Sequence, residues 1–130
     1  MKIVIRDETL TGKVAQEFYL ELEASSLTIA ELIRSRVFEE VNEFNNNLPK
    51  PFKGLIEPRA EELILNPATT TGRDRKADPE EHVKTALKAF DNNGFLVLVN
   101  NKQYTDPEAI VSLEAGAMIT FIKLVPLIGG

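Results

Sequence analysis

The sequence predicts an α+β fold in which one main helix covers one face of a mixed β-sheet. Three observations predict it. Residues 2–6 (KIVIR) are rich in β-branched side chains, a helix-start signal stands at Thr28, and residues 95–99 (FLVLV) form an apolar run. The chain has 130 residues, a length that favours a single domain over residues 1–130.

The N-terminal segment predicts a β-hairpin. Residues 2–6 form its first strand, and the turn signal Thr11-Gly12 follows. In residues 17–23 (EFYLELE) apolar and polar side chains alternate, which is typical of a half-buried strand. Two short strands joined by a turn give a hairpin.

The main helix is predicted to begin directly after Thr28. Thr28 is placed as its N-cap and Glu31 as its third residue, the spacing of a capping box. From Ile29 to Phe44 the apolar residues recur at helical spacing, so the helix has one apolar face. The helix ends at residues 45–47 (NNN), because the prolines that follow cannot continue it.

Residues 46–94 are predicted to form an insertion that carries an extra helix. Residues 78–81 (DPEE) supply a cap, a first-turn proline and acidic residues, which together signal a helix start. Residues 92–94 (NNG) end that helix, with Gly94 expected as a left-handed cap. The polar residues 67–77 predict a flexible loop.

The last third of the chain predicts more of the sheet. Residues 95–99 are apolar throughout, which indicates a central strand, and a tight turn at residues 100–102 leads to a short returning strand. Residues 106–108 (DPE) predict a helical turn, with Ile110 among its apolar contacts. Residues 118–124 form the last strand.

This order of elements describes a β-grasp domain, in which a first hairpin and a later central strand share one sheet below a helix. Residues 125–130 follow the last strand and are predicted to be a flexible C-terminal tail.

Charge and composition argue against several classes of function. The net charge is −5, without the basic footprint of a nucleic-acid-binding protein. There is no cysteine, which excludes thiol catalysis and cysteine–metal sites. No apolar run approaches the roughly 20 residues that span a membrane, and no signal-peptide pattern follows Met1. We therefore expect a cytoplasmic protein that binds neither nucleic acid nor membrane.

The sequence shows no catalytic set. His82 is the only histidine, and we expect it to be exposed in the first turn of its helix, without a nucleophile or second ligand beside it. No phosphate-binding loop or zinc spacing appears. The sequence predicts no catalytic residue, no metal, no bound cofactor and no enzymatic activity.

Gly129 and Gly130 are the candidate functional residues. Glycine has no Cβ, so a Gly-Gly segment can thread a channel too narrow for any other residue. A terminal carboxylate is ionised at neutral pH and is a poor acyl donor until another enzyme activates it.

The residues resemble those of ubiquitin. Residues 1–5 (MKIVI) and 9–13 (TLTGK) are similar to ubiquitin's first strand and its turn, and residues 95–104 (FLVLVNNKQY) are similar to its central strand and the turn after it. The resemblance covers about residues 1–45 and 95–130, and it includes the spacing to the final glycines.

Two features depart from ubiquitin. Residues 46–94 form a much longer insertion, and Pro126, Leu127 and Ile128 stand where ubiquitin carries arginines. An apolar tail with a proline is similar to that of the sulfur carriers of molybdopterin and thiamin synthesis. It is also similar to ubiquitin-like proteins of bacterial conjugation operons, which implies a dedicated activating enzyme.

The resemblance implies a protein modifier. A partner enzyme would use ATP-Mg to adenylate Gly130. The acyl group would then pass to a cysteine of that enzyme and, with or without a conjugating enzyme, to a lysine of a target protein, forming an isopeptide bond that a protease could reverse. Residues 126–128 would either dock on the activating enzyme or pack as a last piece of strand on the sheet of this domain. Lys13 and Lys102 match lysine-bearing turns of ubiquitin and would accept a second copy in a chain. Two alternatives stay open: a sulfur carrier with a C-terminal thiocarboxylate, and a non-covalent binding or self-assembly module.

Overall fold

The computed structural model describes residues 1–46, 54–56, 77–125 and 127. Within them the chain forms seven β-strands and two α-helices, an α+β arrangement as the sequence predicted. The elements in chain order are β1 (Lys2–Glu8), β2 (Val14–Glu21), β3 (Ser26–Thr28), α1 (Ile29–Asn46), α2 (Pro79–Asp91), β4 (Phe95–Val99), β5 (Lys102–Tyr104), β6 (Ile110–Ser112) and β7 (Met118–Lys123).

Five of the strands form one mixed sheet in the order β2-β1-β7-β4-β5. β1 and β2 are the antiparallel hairpin that the sequence predicted, although β2 begins at Val14 and ends at Glu21 rather than running over residues 17–23. β7 lies in the centre, parallel to β1 and antiparallel to β4. Because β7 is hydrogen-bonded on both sides, the last described strand of the chain occupies the middle of the sheet.

A second, two-stranded sheet pairs β3 with β6. The sequence predicted a helical turn here, with apolar contacts from Ile110. That prediction was wrong for Ile110, which is 69% exposed and lies in β6 opposite Thr28. Backbone pairing with β3 determines the conformation of this segment, and only alternate side chains of such a strand face the core.

The N-terminus of α1 confirms the predicted capping box. The Glu31 N–H donates to Thr28 Oγ1 at 3.0 Å, and the Thr28 N–H donates to Glu31 Oε1 at 2.8 Å. Both bonds satisfy backbone donors that the first helical turn leaves without partners. Leu27 and Leu32, which flank the cap, are both buried.

The predicted start of α2 is also confirmed, but its end differs. Asp78 is the N-cap, and its carboxylate accepts from the Glu80 N–H at 3.0 Å, with Pro79 in the first turn. At the other end Asn93 takes the left-handed conformation, with φ 59°, and Gly94 does not. Asparagine tolerates this region because its short side chain bonds locally. Gly94 is instead closely surrounded: a Cβ placed on it would lie 3.2 Å from both the Ala89 carbonyl oxygen and Leu127 Cδ2.

One hydrophobic core joins the sheet, both helices and residues 54–56. Leu55 and Ile56 are fully buried, and the side chain of Asn45 donates to and accepts from the backbone of Ala77 at 2.9 and 2.8 Å. The described parts of the predicted insertion therefore contribute to the same core as the sheet. The most deeply buried apolar residues are Ile3, Ile5, Ile29, Leu32, Ile33, Val41, Leu55, Ala86, Val97, Ile119 and Phe121.

A buried arginine connects α1 to the sheet. Arg36 is 0% exposed, and its guanidinium donates to both carboxylate oxygens of Asp7 at 2.5 and 2.6 Å and to Glu40 at 3.1 Å. It also lies over the ring of Phe121, 4.5 Å from the centroid. Burial raises the pKa of Glu40 above its ordinary value, although Arg36 and the N–H of Leu55 oppose the shift.

Replacing Thr28 by Ala should lower the free energy of unfolding by about 1 kcal/mol, because the first turn of α1 loses one side of its capping box. Urea denaturation of both proteins measures the difference. Thr105→Ala, at an exposed loop position, is the matched control and should change stability by less than about 0.5 kcal/mol. Equal losses from the two substitutions would contradict the role of the cap.

Replacing Arg36 by Met should destabilise the protein by about 3–5 kcal/mol, because Asp7 and Glu40 then remain buried without their cation. Arg34→Met is the control on the same helix. Arg34 bonds Glu80 at 2.5 Å, but both side chains are about half exposed, so its loss should be below about 1 kcal/mol. Denaturant unfolding of both variants gives the comparison, and similar losses would refute it.

Candidate functional site

The predicted conjugation residues follow β7. Pro126, Ile128, Gly129 and Gly130 lie outside the described residues, so their predicted roles stay predictions. Val125 is exposed, and Leu127 is described and buried. Val125 therefore faces solvent, whereas Leu127 packs against the body of the domain.

The tail leaves the sheet at the same end as the predicted turn that carries Lys13. In the parallel pairing of β1 with β7, Glu8 lies opposite Ile122, one residue before the end of β7. The loop that connects β1 to β2 begins at that point, with the Thr9 N–H bonded to Lys13 O at 2.9 Å and Gly12 at φ +86°. Lys13 is exposed there. The Lys13 loop and the start of the tail therefore lie at the same end of the sheet.

Lys102 lies at the opposite end of the sheet. Val99 pairs with Lys102 in β5 and with Ile119 near the start of β7. Asn100 and Asn101, with φ 48° and 71°, make the tight turn that the sequence predicted, in a geometry that favours two-residue hairpins. Lys102 is exposed, so both predicted acceptor lysines are open to solvent, but on different ends of the domain.

Leu127 is packed into the body of the domain. It is 7% exposed and belongs to the core cluster. A Cβ placed on Gly94 would lie 3.2 Å from Leu127 Cδ2, so these two residues are in close contact. The docking role predicted for Leu127 stays a prediction, and this packing means that the side chain must first leave the core.

The contact between Leu127 and Gly94 was not predicted from the sequence. The sequence contains part of the information. Residues 92–94 include asparagine and glycine, which both accept a left-handed conformation, and only one such residue is needed to end a helix. Asn93 takes that conformation. The glycine beside it is then free to serve a close approach of another segment.

His82 is buried, and the prediction that it is exposed was wrong. It is 1% exposed, in the first turn of α2, where its N–H donates to Asp78 O at 3.1 Å. Burial lowers the pKa of His82 below its ordinary value, and the nearby Asp78 carboxylate only partly opposes the shift. The neutral imidazole therefore forms part of the folded core.

Neither a metal-binding cluster nor a membrane-spanning helix is found among the described residues. No group of three or more His, Cys, Asp or Glu side chains within residues 1–46, 54–56, 77–125 and 127 could hold a metal ion. Neither helix in that part of the chain is long and apolar enough to cross a membrane.

Comparison of the chain with protein-family models, with curated proteins and with solved structures finds no match in any of the three.

Stability should fall as the pH drops from 7.5 to 5.5, because His82 binds a proton less readily in the folded state than in the unfolded chain. Its stabilising contribution is complete above the unfolded pKa and decreases as the pH falls towards the lowered folded pKa. Urea denaturation across this range measures the slope. The His82→Gln variant should show a flatter profile, and identical slopes would show that His82 is not responsible.

Proposed function

We propose that this protein is a ubiquitin-like modifier with a β-grasp fold, joined to target proteins through Gly130. The proposal combines the sequence resemblance with the arrangement of the sheet. The observation that carries it is the central position of β7, which leads directly into the tail that holds Gly129 and Gly130.

The order of the elements supports the β-grasp assignment. An antiparallel hairpin, β1 and β2, precedes α1, and β7 lies beside β1 and parallel to it. A parallel partner needs a long crossover, which α1 and the later elements provide. α2 adds a second helix to the core, and this is the feature that distinguishes the domain from a minimal carrier protein.

The chemistry takes place at the Gly130 carboxylate and is supplied by partner enzymes. In the first step a carboxylate oxygen attacks the α-phosphorus of ATP, forming an acyl-adenylate and releasing pyrophosphate. A cysteine thiolate of the activating enzyme then displaces AMP to form a thioester. Finally a lysine amine attacks that thioester, with loss of its proton, forms the isopeptide bond and releases the thiolate.

Glycine at positions 129 and 130 suits this chemistry, because the activating site has to close around the tail and exclude water. The exposed Lys13 and Lys102 are available to accept a second copy of the chain. The folded body supplies the surface that the activating enzyme, the conjugating enzyme and the protease would recognise.

Mass spectrometry of the protein recovered from its native host tests the proposal. An isopeptide bond between Gly130 and a lysine supports the modifier. Exchange of oxygen for sulfur at Gly130 would instead identify a sulfur carrier, for which the apolar residues 126–128 are the motivating feature. A carboxylate that stays unmodified while the adenylating enzyme is present would favour a non-covalent binding module.

Deleting Gly129 and Gly130 should abolish conjugate formation in host cells and leave the thermal unfolding midpoint unchanged, because neither residue has a side chain to bury. Replacing both glycines by alanine is the control of equal length, and it should also block conjugation because the added Cβ atoms obstruct a narrow channel. Anti-tag blots of host lysates and thermal scans measure the two effects. Conjugates that persist after the deletion would refute a role for Gly130.

A further inference from the structure

The charges of the buried cluster around Arg36 do not balance. The guanidinium of Arg36 donates to both carboxylate oxygens of Asp7, at 2.5 and 2.6 Å, which is the bidentate geometry of a strong ion pair. It donates to Glu40 once, at 3.1 Å, and the Glu40 side chain is 11% exposed. A single cation thus faces two carboxylates, and Glu40 is the less well neutralised of them.

The elements packed around Glu40 add no second cation among the residues that the structure describes. The groups that contact Glu40 or the Asp7 carboxylate are Arg36 of α1, Gln16 of β2 and the Leu55 N–H. Glu39 and Glu43, the acidic residues of α1 nearest to Glu40 in sequence, are exposed. Residues 54–56 (GLI) carry no charged side chain. With Glu40 ionised, the cluster therefore holds an excess negative charge.

The Glu40 carboxylate also connects α1 to the segment between the two helices. Its Oε1 accepts from the Leu55 N–H at 2.9 Å, while its Oε2 accepts from Arg36. Leu55 and Ile56 are 0% and 1% exposed, so this segment fills part of the core. Separating Leu55 from α1 would break the hydrogen bond and expose a carboxylate oxygen to water.

Protonation of Glu40 and docking of this segment are therefore linked. Burial raises the pKa of Glu40 above its ordinary value, and Arg36 and the Leu55 N–H oppose the shift only in part. With the segment released and Glu40 in water, the pKa returns towards the ordinary value. The docked state thus binds the proton more tightly, so its advantage is complete below the ordinary pKa and is lost as the pH rises through the raised one.

We propose that Glu40 is a proton-dependent latch for residues 54–56, which stay docked while Glu40 is protonated and are loosened when it ionises. A protonated carboxyl group still accepts from the Leu55 N–H through its carbonyl oxygen. Asp7 alone then neutralises Arg36, and the cluster carries no net charge. Ionisation restores the excess negative charge, which favours moving Glu40 into water. The latch is independent of the proposed modifier function.

Amide hydrogen exchange at Leu55 tests the latch between about pH 4 and about pH 8. The protection factor is the intrinsic exchange rate divided by the measured rate, so it reports the fraction of time that the segment is open. We expect it to decrease as the pH rises, by at most about tenfold per pH unit, because docking is linked to one proton. A protection factor at Leu55 that is independent of pH would overturn the proposal.

Two variants assign the effect to Glu40. Glu40→Gln has a side chain of the same length that does not ionise, so Leu55 should lose its pH dependence. Glu39→Gln alters an exposed neighbour and should keep the profile of the unaltered chain. The difference between the unaltered chain and Glu40→Gln removes the contribution of His82, which has the opposite sign. A pH dependence that persists in Glu40→Gln would refute the latch.

A third measurement needs no variant, in case Glu40→Gln does not fold. Carbon-13 NMR follows the Glu40 carboxyl group directly, and its titration midpoint should lie above the ordinary value for glutamate. The chemical shift of the Leu55 amide should change with the same midpoint, because its N–H donates to that group. Different midpoints would show that the segment does not respond to Glu40, and the proposal would fail.

The same exchange data separate release of the segment from unfolding of the whole domain. Ile119 is fully buried in β7, the central strand, so its amide exchanges when the domain unfolds. We expect the protection factor of Leu55 to be at least roughly tenfold lower than that of Ile119 at the upper end of the pH range. Equal protection at every pH would mean that residues 54–56 open only together with the sheet, which contradicts a latch.

Discussion

The buried guanidinium of Arg36 is the interaction on which the arrangement of sheet and helix depends. A charge without partners cannot be buried at this depth, so Arg36 requires Asp7 from β1 and Glu40 from its own helix. It also lies over the rings of Phe121 and Phe18, which belong to β7 and β2. One side chain of α1 therefore contacts three neighbouring strands. Sliding α1 along the sheet would separate Arg36 from Asp7. The ion pair between them therefore also fixes the position of α1 along β1.

The same cluster extends to the segment between the helices. Glu40 contacts Arg36 with one carboxylate oxygen and accepts from the Leu55 N–H with the other, at 2.9 Å. The side chain of Leu55 is fully buried, so this hydrogen bond holds a core residue in place. Asn45 bonds the backbone of Ala77 directly before α2. Polar contacts at Leu55 and Ala77 thus fix the described parts of the insertion. α2, which begins just after Ala77, is thereby positioned so that its C-terminal end lies beside the chain after β7.

Local signals predicted much of this fold, and contacts between distant residues account for the rest. The caps at Thr28 and Asp78 were predictable because a cap is a relation between residues two or three apart. Arg36 lies three residues after Ile33 on the apolar face of α1, so its inward position follows from helical spacing. Its burial does not, because that depends on Asp7, which is 29 residues away in sequence. The pairing of Arg36 with Asp7 could not be predicted from the sequence pattern of α1 or from that of β1.

At the candidate site, too, the residue types could be predicted from the sequence, whereas contacts between distant residues could not. The final glycines and the exposed lysines were recognisable as residue types, whereas the environment of the tail was not. Asn93 and Gly94 both suit a left-handed helix end, and the sequence favoured the glycine; the structure uses Asn93 for the turn. A Cβ placed on Gly94 would lie 3.2 Å from Leu127 Cδ2, so the absence of a side chain at this position leaves room for Leu127. A Cβ at position 94 would press on both Leu127 and the backbone of Ala89, so the choice of glycine there depends in part on a residue far along the sequence.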